Sequence, residues 1–186
     1  MKEIYDYKMF DPTHMEKGLP PETPGNYIFL LRPDVNLPED VINFQPTFTT
    51  LSYNDNEYRV LYTGVTEKDT LYERIFKTHF GDNAGRSTLR KSLGCLWEYP
   101  FIYRDKNPNP NRTPKTKYLD KDEQAITKWM KKNLLVLFVQ NYNCETEETD
   151  LIATYNPPLN LNKNKNVINR EYRSMIKQLR TRPVEE

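Results

Sequence analysis

The chain has 186 residues, enough for one domain with a real core and too few for two comfortable ones. Its net charge of +1 excludes a molecule that holds nucleic acid by overall charge, so any basic surface has to come from local segregation. No apolar run approaches the ~18 residues needed to span a bilayer, and Met1 to Asp6 has no apolar signal core, so a cytoplasmic protein without membrane association is expected.

Apolar residues make up 37% of the chain, below the globular average, yet there are 13 tyrosines. The core is therefore expected to be small and edged by Tyr, with polar loops around it. Cys95 and Cys144 stand apart, without the CxxC or Cys/His spacing of structural zinc, and read as ordinary thiols.

In chain order, residues 1–23 mix charges with Asp11-Pro12 and Leu19-Pro20-Pro21 and show no period, which reads as an arm laid on the domain or partly disordered. The fold proper starts at Pro24. Tyr27 to Leu31 and Tyr58 to Tyr62 are strand-like and are expected to pair antiparallel. Their connection, Arg32 to Arg59, holds three prolines and suggests an elaborated loop with an added strand at Thr47 to Tyr53. Leu71, Ile75 and Phe76 give a helix from about Lys68. A second helix opens at Ser87 and carries Leu89, Leu93 and Leu96. Asn107 to Pro114 is a Pro/Asn-rich loop. A third helix runs from Asp120 to Asn133, followed by an apolar strand at Leu134 to Val139. A fourth helix begins near Glu145 and ends before Pro157, and the last spans Asn169 to Arg180 with Tyr172, Ile176 and Leu179 on one face.

Two of the strands carry a Gly and a Tyr each, Gly25-Asn26-Tyr27 and Tyr62-Thr63-Gly64, and they are followed in order by Arg74, His79, Glu148 and Asn160. This ordered set, from about Pro24 to Asn160, resembles the GIY-YIG nucleases, metal-dependent enzymes that hydrolyse DNA phosphodiesters. The segment Glu148-Thr149-Asp150-Leu151-Ile152 with Pro157-Pro158-Leu159-Asn160 is its most specific local match. The departures are Asn26 and Thr63 at positions that are usually apolar, a longer connection between the two strands, and an Arg74-to-His79 interval one residue above the commonest spacing.

The resemblance implies one domain of the α+β type, with a small central antiparallel sheet flanked by helices. It is expected at 24–162, between the arm at 1–23 and a basic C-terminal helix and tail at 163–186. It also implies a DNA endonuclease with Tyr27 as general base or water-orienting group and Tyr62 binding phosphate or water. Arg74 would stabilise the phosphate, His79 would relay a proton, Glu148 would hold one Mg²⁺ or Mn²⁺ and Asn160 would buttress the site. A free phenol has a pKa near about 10, so Tyr27 needs cationic neighbours or a relay.

Further DNA contacts are expected from Gly64, from Arg86, Ser87, Thr88 and Arg90 around a helix start, and from Lys163, Lys165, Arg170 and Arg173 in the basic C-terminal stretch. No small-molecule cofactor is expected, and oligomeric state is not legible. Two other readings stand beside this one. The first is a catalytically silent nucleic-acid or protein adaptor on the same fold. The second is a restriction-type enzyme that reads sequence through its loops at Arg32 to Arg59 and Asn107 to Lys117.

Overall fold

Two uninterrupted apolar runs set the architecture. Gly25–Leu31 (β2) and Leu134–Gln140 (β7) pair antiparallel along their whole length, Gly25 opposite Gln140 and Leu31 opposite Leu134. Runs without polar alternation suit strands covered on both faces, and every residue of β2 is buried. The other side of β2 carries Asn56–Thr66 (β4), which also pairs with Thr50–Tyr53 (β3). Lys8–Phe10 (β1) lies along the far side of β7, completing a five-stranded antiparallel sheet in the order β1-β7-β2-β4-β3. The computed structural model describes residues 3–14, 16–107, 114–142 and 144–184. The Cys144 thiol and most of the loop expected at Asn107 to Pro114 lie outside them.

The expected irregular arm is thus corrected in part. Lys8–Phe10 is an edge strand, held by pairing rather than by any period that three residues could display. Its neighbours also serve the domain, because the Thr23 and Pro21 carbonyls accept the backbone N–H groups of Leu71 and Tyr72 at 2.8 and 3.0 Å. A two-stranded ribbon, Ile102–Tyr103 (β5) with Thr116–Lys117 (β6), was also not legible in the sequence.

The helices are a π-helix at Tyr72–His79, then Thr88–Leu96 (α1), Asp120–Asn133 (α2), Cys144–Tyr155 (α3) and Arg170–Leu179 (α4). One core joins Tyr27, Phe29, Leu61 and Tyr62 to Leu71, Ile75, Leu93, Ile126 and Ile176 of the π-helix, α1, α2 and α4. On the opposite face Ile28, Leu30, Val60 and Leu137 pack with Leu151 of α3 and with Tyr7.

A bulge in β4 sets the direction of its side chains. Phe29 faces Tyr62, but Leu30 faces Val60, so Leu61 is the extra residue. Strict alternation would place Val60 and Tyr62 on one face; the bulge separates them and turns Tyr62 onto the face that carries Tyr27 and Phe29.

A buried ion pair ties α1 to α2. The Arg90 guanidinium and the Glu123 carboxylate have no exposed side-chain surface and meet at 2.7 Å. Arg90 also donates to the carbonyls of His79 and Glu123 and to Thr127 Oγ1. The second Glu123 oxygen accepts the N–H groups of Ala84 and Tyr118. Breaking such a pair on one side strands a buried charge, a cost of about 3–5 kcal/mol. Arg90→Met or Glu123→Gln is therefore expected to lower unfolding free energy in urea by about 3 kcal/mol or more. The double variant Arg90→Met/Glu123→Met should lose less than either single change; an additive loss would contradict the coupling.

Candidate active site

Tyr27 projects from the middle of β2 and is 1% exposed. Its ring lies against Gly64, its cross-strand partner on β4, where an added Cβ would come within 2.3 Å of the phenol. Any larger residue there would push the ring aside. Gly64, expected to let DNA approach, has its space filled by Tyr27.

Three side chains answer the Tyr27 hydroxyl or its neighbour. Arg74 Nε donates to it at 3.3 Å, and His79 Nε2 lies 2.9 Å from it. Both come from the π-helix, whose i→i+5 pattern is seen where Phe80 N–H donates to the Ile75 carbonyl at 3.1 Å. That wider turn brings residues five apart onto one side. It absorbs the extra residue between Arg74 and His79, and both side chains reach the same oxygen. On the other side of the imidazole, Nδ1 lies 2.8 Å from Ser87 Oγ, which also accepts the Arg90 N–H as the N-cap of α1. Tyr62 completes the cluster, its ring centroid 5.9 Å from that of His79.

Electrostatics keep this cluster neutral apart from Arg74. Burial raises the Tyr27 pKa, while the Arg74 guanidinium pulls it down. Burial also pushes Tyr62 up, with Arg74 and Arg180 acting in the opposite sense. His79 is held well below the usual imidazole range, first by burial and then by the charges of Arg74 and Arg90. A phenol with one proton and a neutral imidazole fit together: Tyr27 O–H donates to Nε2, Nδ1–H donates to Ser87, and Arg74 donates to the phenol oxygen.

Glu148 and Asn160 come from α3 and the turn after it. Asn160 clamps the Thr63 backbone, accepting its N–H at 2.8 Å and donating to its carbonyl at 2.9 Å, which fixes β4 between Tyr62 and Gly64. Glu148 is 9% exposed and near enough for its charge to push up both Tyr27 and Tyr62. Its Oε2 accepts Lys163 Nζ at 2.7 Å. The neighbouring carboxylate is differently employed: Glu147 accepts Tyr7 O–H at 3.3 Å and Asn141 Nδ2 at 3.0 Å. Among the described residues no group of three or more His, Cys, Asp and Glu is placed to hold a metal. Among the described residues a single carboxylate fits a hard ion that keeps most of its waters, as Mg²⁺ or Mn²⁺ does, once the Lys163 ammonium gives way. Arg74 opens onto a surface pocket lined by Val65, Thr66, Glu67, Lys68 and Asp69.

The other residues expected to touch DNA divide by burial. Arg86, Lys165 and Arg170 are exposed, and the Arg86 carbonyl accepts from Arg74 at 3.3 Å. Thr88 is half-buried as the first residue of α1. Arg90 is corrected: with no exposed surface and its donors spent on Glu123, His79 and Thr127, it holds the fold rather than a phosphate. Ser87 is 2% exposed and committed to His79 and the α1 N-terminus. Arg173 is 3% exposed and donates to Asn156 Oδ1 and to the carbonyls of Ile168 and Asn166. Lys163 reaches Glu148.

Two features of the site were not expected from the sequence. Ser87 as the imidazole's partner has a visible signal, a capping residue eight positions after a candidate His. The influence of Arg180 on Tyr62 has none, because α4 is distant in sequence. No curated protein and no solved structure matches the chain. A family model described as the GIY-YIG catalytic domain matches residues 25–182, from the first residue of β2 to just beyond α4, and the chain belongs to that family.

Proposed function

We propose that this chain is a metal-dependent endonuclease that hydrolyses DNA phosphodiester bonds. The observation that carries the reading is the convergence of Arg74 and His79 on the buried Tyr27 hydroxyl, beside Tyr62 and within the field of Glu148. Any buried phenol is satisfied by one donor and one acceptor; here the acceptor is a neutral imidazole that can take a proton and the donor a guanidinium that favours the phenolate.

Phosphodiester hydrolysis requires a deprotonated water, charge to meet the crowded transition state, and help for the leaving alkoxide. In this proposal Tyr27 takes the proton of the attacking water as its own passes to His79 Nε2, leaving an imidazolium whose Nδ1–H stays hydrogen-bonded to Ser87 Oγ. Arg74 stabilises the phenolate form of Tyr27 through Nε and offers Nη2 to the phosphate. Tyr62 donates its hydroxyl to a phosphate oxygen or to the water. Asn160 keeps Tyr62 and Gly64 in place through the Thr63 backbone. Glu148 would hold Mg²⁺ or Mn²⁺, which when bound supplies positive charge to the phosphate and acidifies its waters. The exposed Arg86, Lys165 and Arg170 would grip flanking backbone phosphates.

The direct test is incubation of the purified protein with labelled duplex, branched and single-stranded DNA, with Mg²⁺, Mn²⁺ or chelator. Metal-dependent cutting of at least one form is expected, and no cutting of any form would sink the proposal. Glu148→Gln should slow cutting by at least about 100-fold, the scale of losing one preorganised charge-stabilising group, while changing stability by about 1 kcal/mol or less. Glu147→Gln should show the opposite balance, because its carboxylate ties Tyr7 and Asn141.

The neutral His79 also marks the stability curve. An unfolded imidazole takes up a proton below about pH 6.5, and the folded one stays neutral there. The unfolded state then binds more protons, so stability falls as pH drops from about 6.5 towards 5, by up to about 1.4 kcal/mol per unit. Urea titrations of wild type and His79→Gln over this window should give a steeper slope for wild type; parallel slopes would mean that the folded imidazole protonates freely.

A further inference from the structure

We propose that Lys163 sets the metal affinity of this site: its ammonium is paired with the Glu148 carboxylate through Oε2, and a divalent cation binds that carboxylate by displacing it. The proposal rests on Glu148 as the metal ligand. It adds a residue that lies beyond the motif set, three positions after Asn160.

The contact is a built one. Lys163 Nζ lies 2.7 Å from Glu148 Oε2, and Glu148 has only 11% of its side chain exposed, so little water competes for the carboxylate. The turn that carries Lys163 is fixed on both sides. Asn160 is bound to the Thr63 backbone, and Asn164 donates to Asn156 Oδ1 and to the Pro157 carbonyl, both at 3.1 Å. Arg173, nearly buried, holds Asn156 from below at 3.2 Å. Lys163 itself has φ of +63°, a left-handed conformation that a lysine adopts only at a cost and that the anchored turn imposes.

The release path is equally visible. Lys163 is 54% exposed along its side chain, so the outer methylenes can swing into solvent while the backbone stays clamped. With Lys163 in place the partly buried carboxylate is neutralised without a metal. With a divalent ion on Glu148, an ammonium at hydrogen-bond distance would be repelled. The displaced ammonium then meets a phosphate oxygen of the substrate, so metal and DNA each favour the other's binding through one side chain. This assigns Lys163 a place in the site more specific than a backbone grip.

The test is direct Mn²⁺ binding, read by electron paramagnetic resonance or calorimetry in the absence of DNA, for wild type, Lys163→Met, Lys163→Gln and Glu148→Gln. Removing the competing ammonium is expected to tighten Mn²⁺ binding by about two- to fivefold in both Lys163 variants, the scale of one partly exposed ion pair. A non-cleavable phosphorothioate duplex should tighten Mn²⁺ binding in wild type more than in Lys163→Met. Unchanged or weaker Mn²⁺ binding in both Lys163 variants, with binding still lost in Glu148→Gln, would overturn the proposal and leave Glu148 as the ligand. Equal Mn²⁺ binding by wild type and Glu148→Gln would overturn both readings.

Discussion

A phenol with almost no exposed surface ionises only with help from its neighbours, and the fold around Tyr27 is arranged by that constraint. The ring fills the space that Gly64 leaves, and the hydroxyl meets Arg74 and His79. Burial acts against both charged forms at once, raising Tyr27 and lowering His79, so the resting pair is neutral. Arg74, in direct contact, favours the phenolate. The resting proton therefore stays on Tyr27, and positive charge entering beside Glu148 would shift the balance towards the phenolate.

The supporting structure works to keep that geometry fixed. The β4 bulge turns Tyr62 onto the same face, and Asn160 locks the backbone next to it. The π-helix spaces Arg74 and His79 to one oxygen. Ser87 caps α1 and holds the far nitrogen of His79, and Arg90 binds the His79 carbonyl while it pairs with Glu123. The buried Arg90–Glu123 pair thus joins two helices and the end of a third at the base of the site. Its value lies in this placement, since a buried ion pair stabilises little relative to an apolar substitute.

Much of this was legible in the residues, for physical reasons that differ by element. The apolar runs of β2 and β7 leave no alternative to buried strands, and α2 starts and ends at the residues its acidic start and Asn133 mark. The ordered Tyr27, Tyr62, Arg74, His79, Glu148 and Asn160 pointed to the GIY-YIG family that the chain belongs to. The bulge at Leu61 left no trace, because Val60-Leu61-Tyr62 reads as a plain strand. The π-turn was hidden for a similar reason: Leu71 and Ile75 keep a helical spacing, and only the unusual Arg74-to-His79 interval hinted at a wider turn. Arg90 and Arg173 were misread because a charge on an amphipathic helix usually faces water; here Glu123 and Asn156 wait for them inside. The β1 strand is too short for any pattern, and its pairing with β7 depends on a partner far along the chain.

In the proposed hydrolysis the proton of the attacking water passes through the Tyr27 oxygen. Tyr27→Phe removes that one atom and leaves the ring against Gly64, the sheet and the Glu148 carboxylate unchanged. Single-turnover cutting of a DNA substrate at saturating protein, with Mg²⁺ and with circular dichroism to confirm the fold, tests it most directly. The account predicts that the phenylalanine variant binds DNA and metal as wild type does and cuts at least about 100-fold more slowly, the low end for loss of a positioned acid–base group. A variant that cuts at the wild-type rate would contradict it.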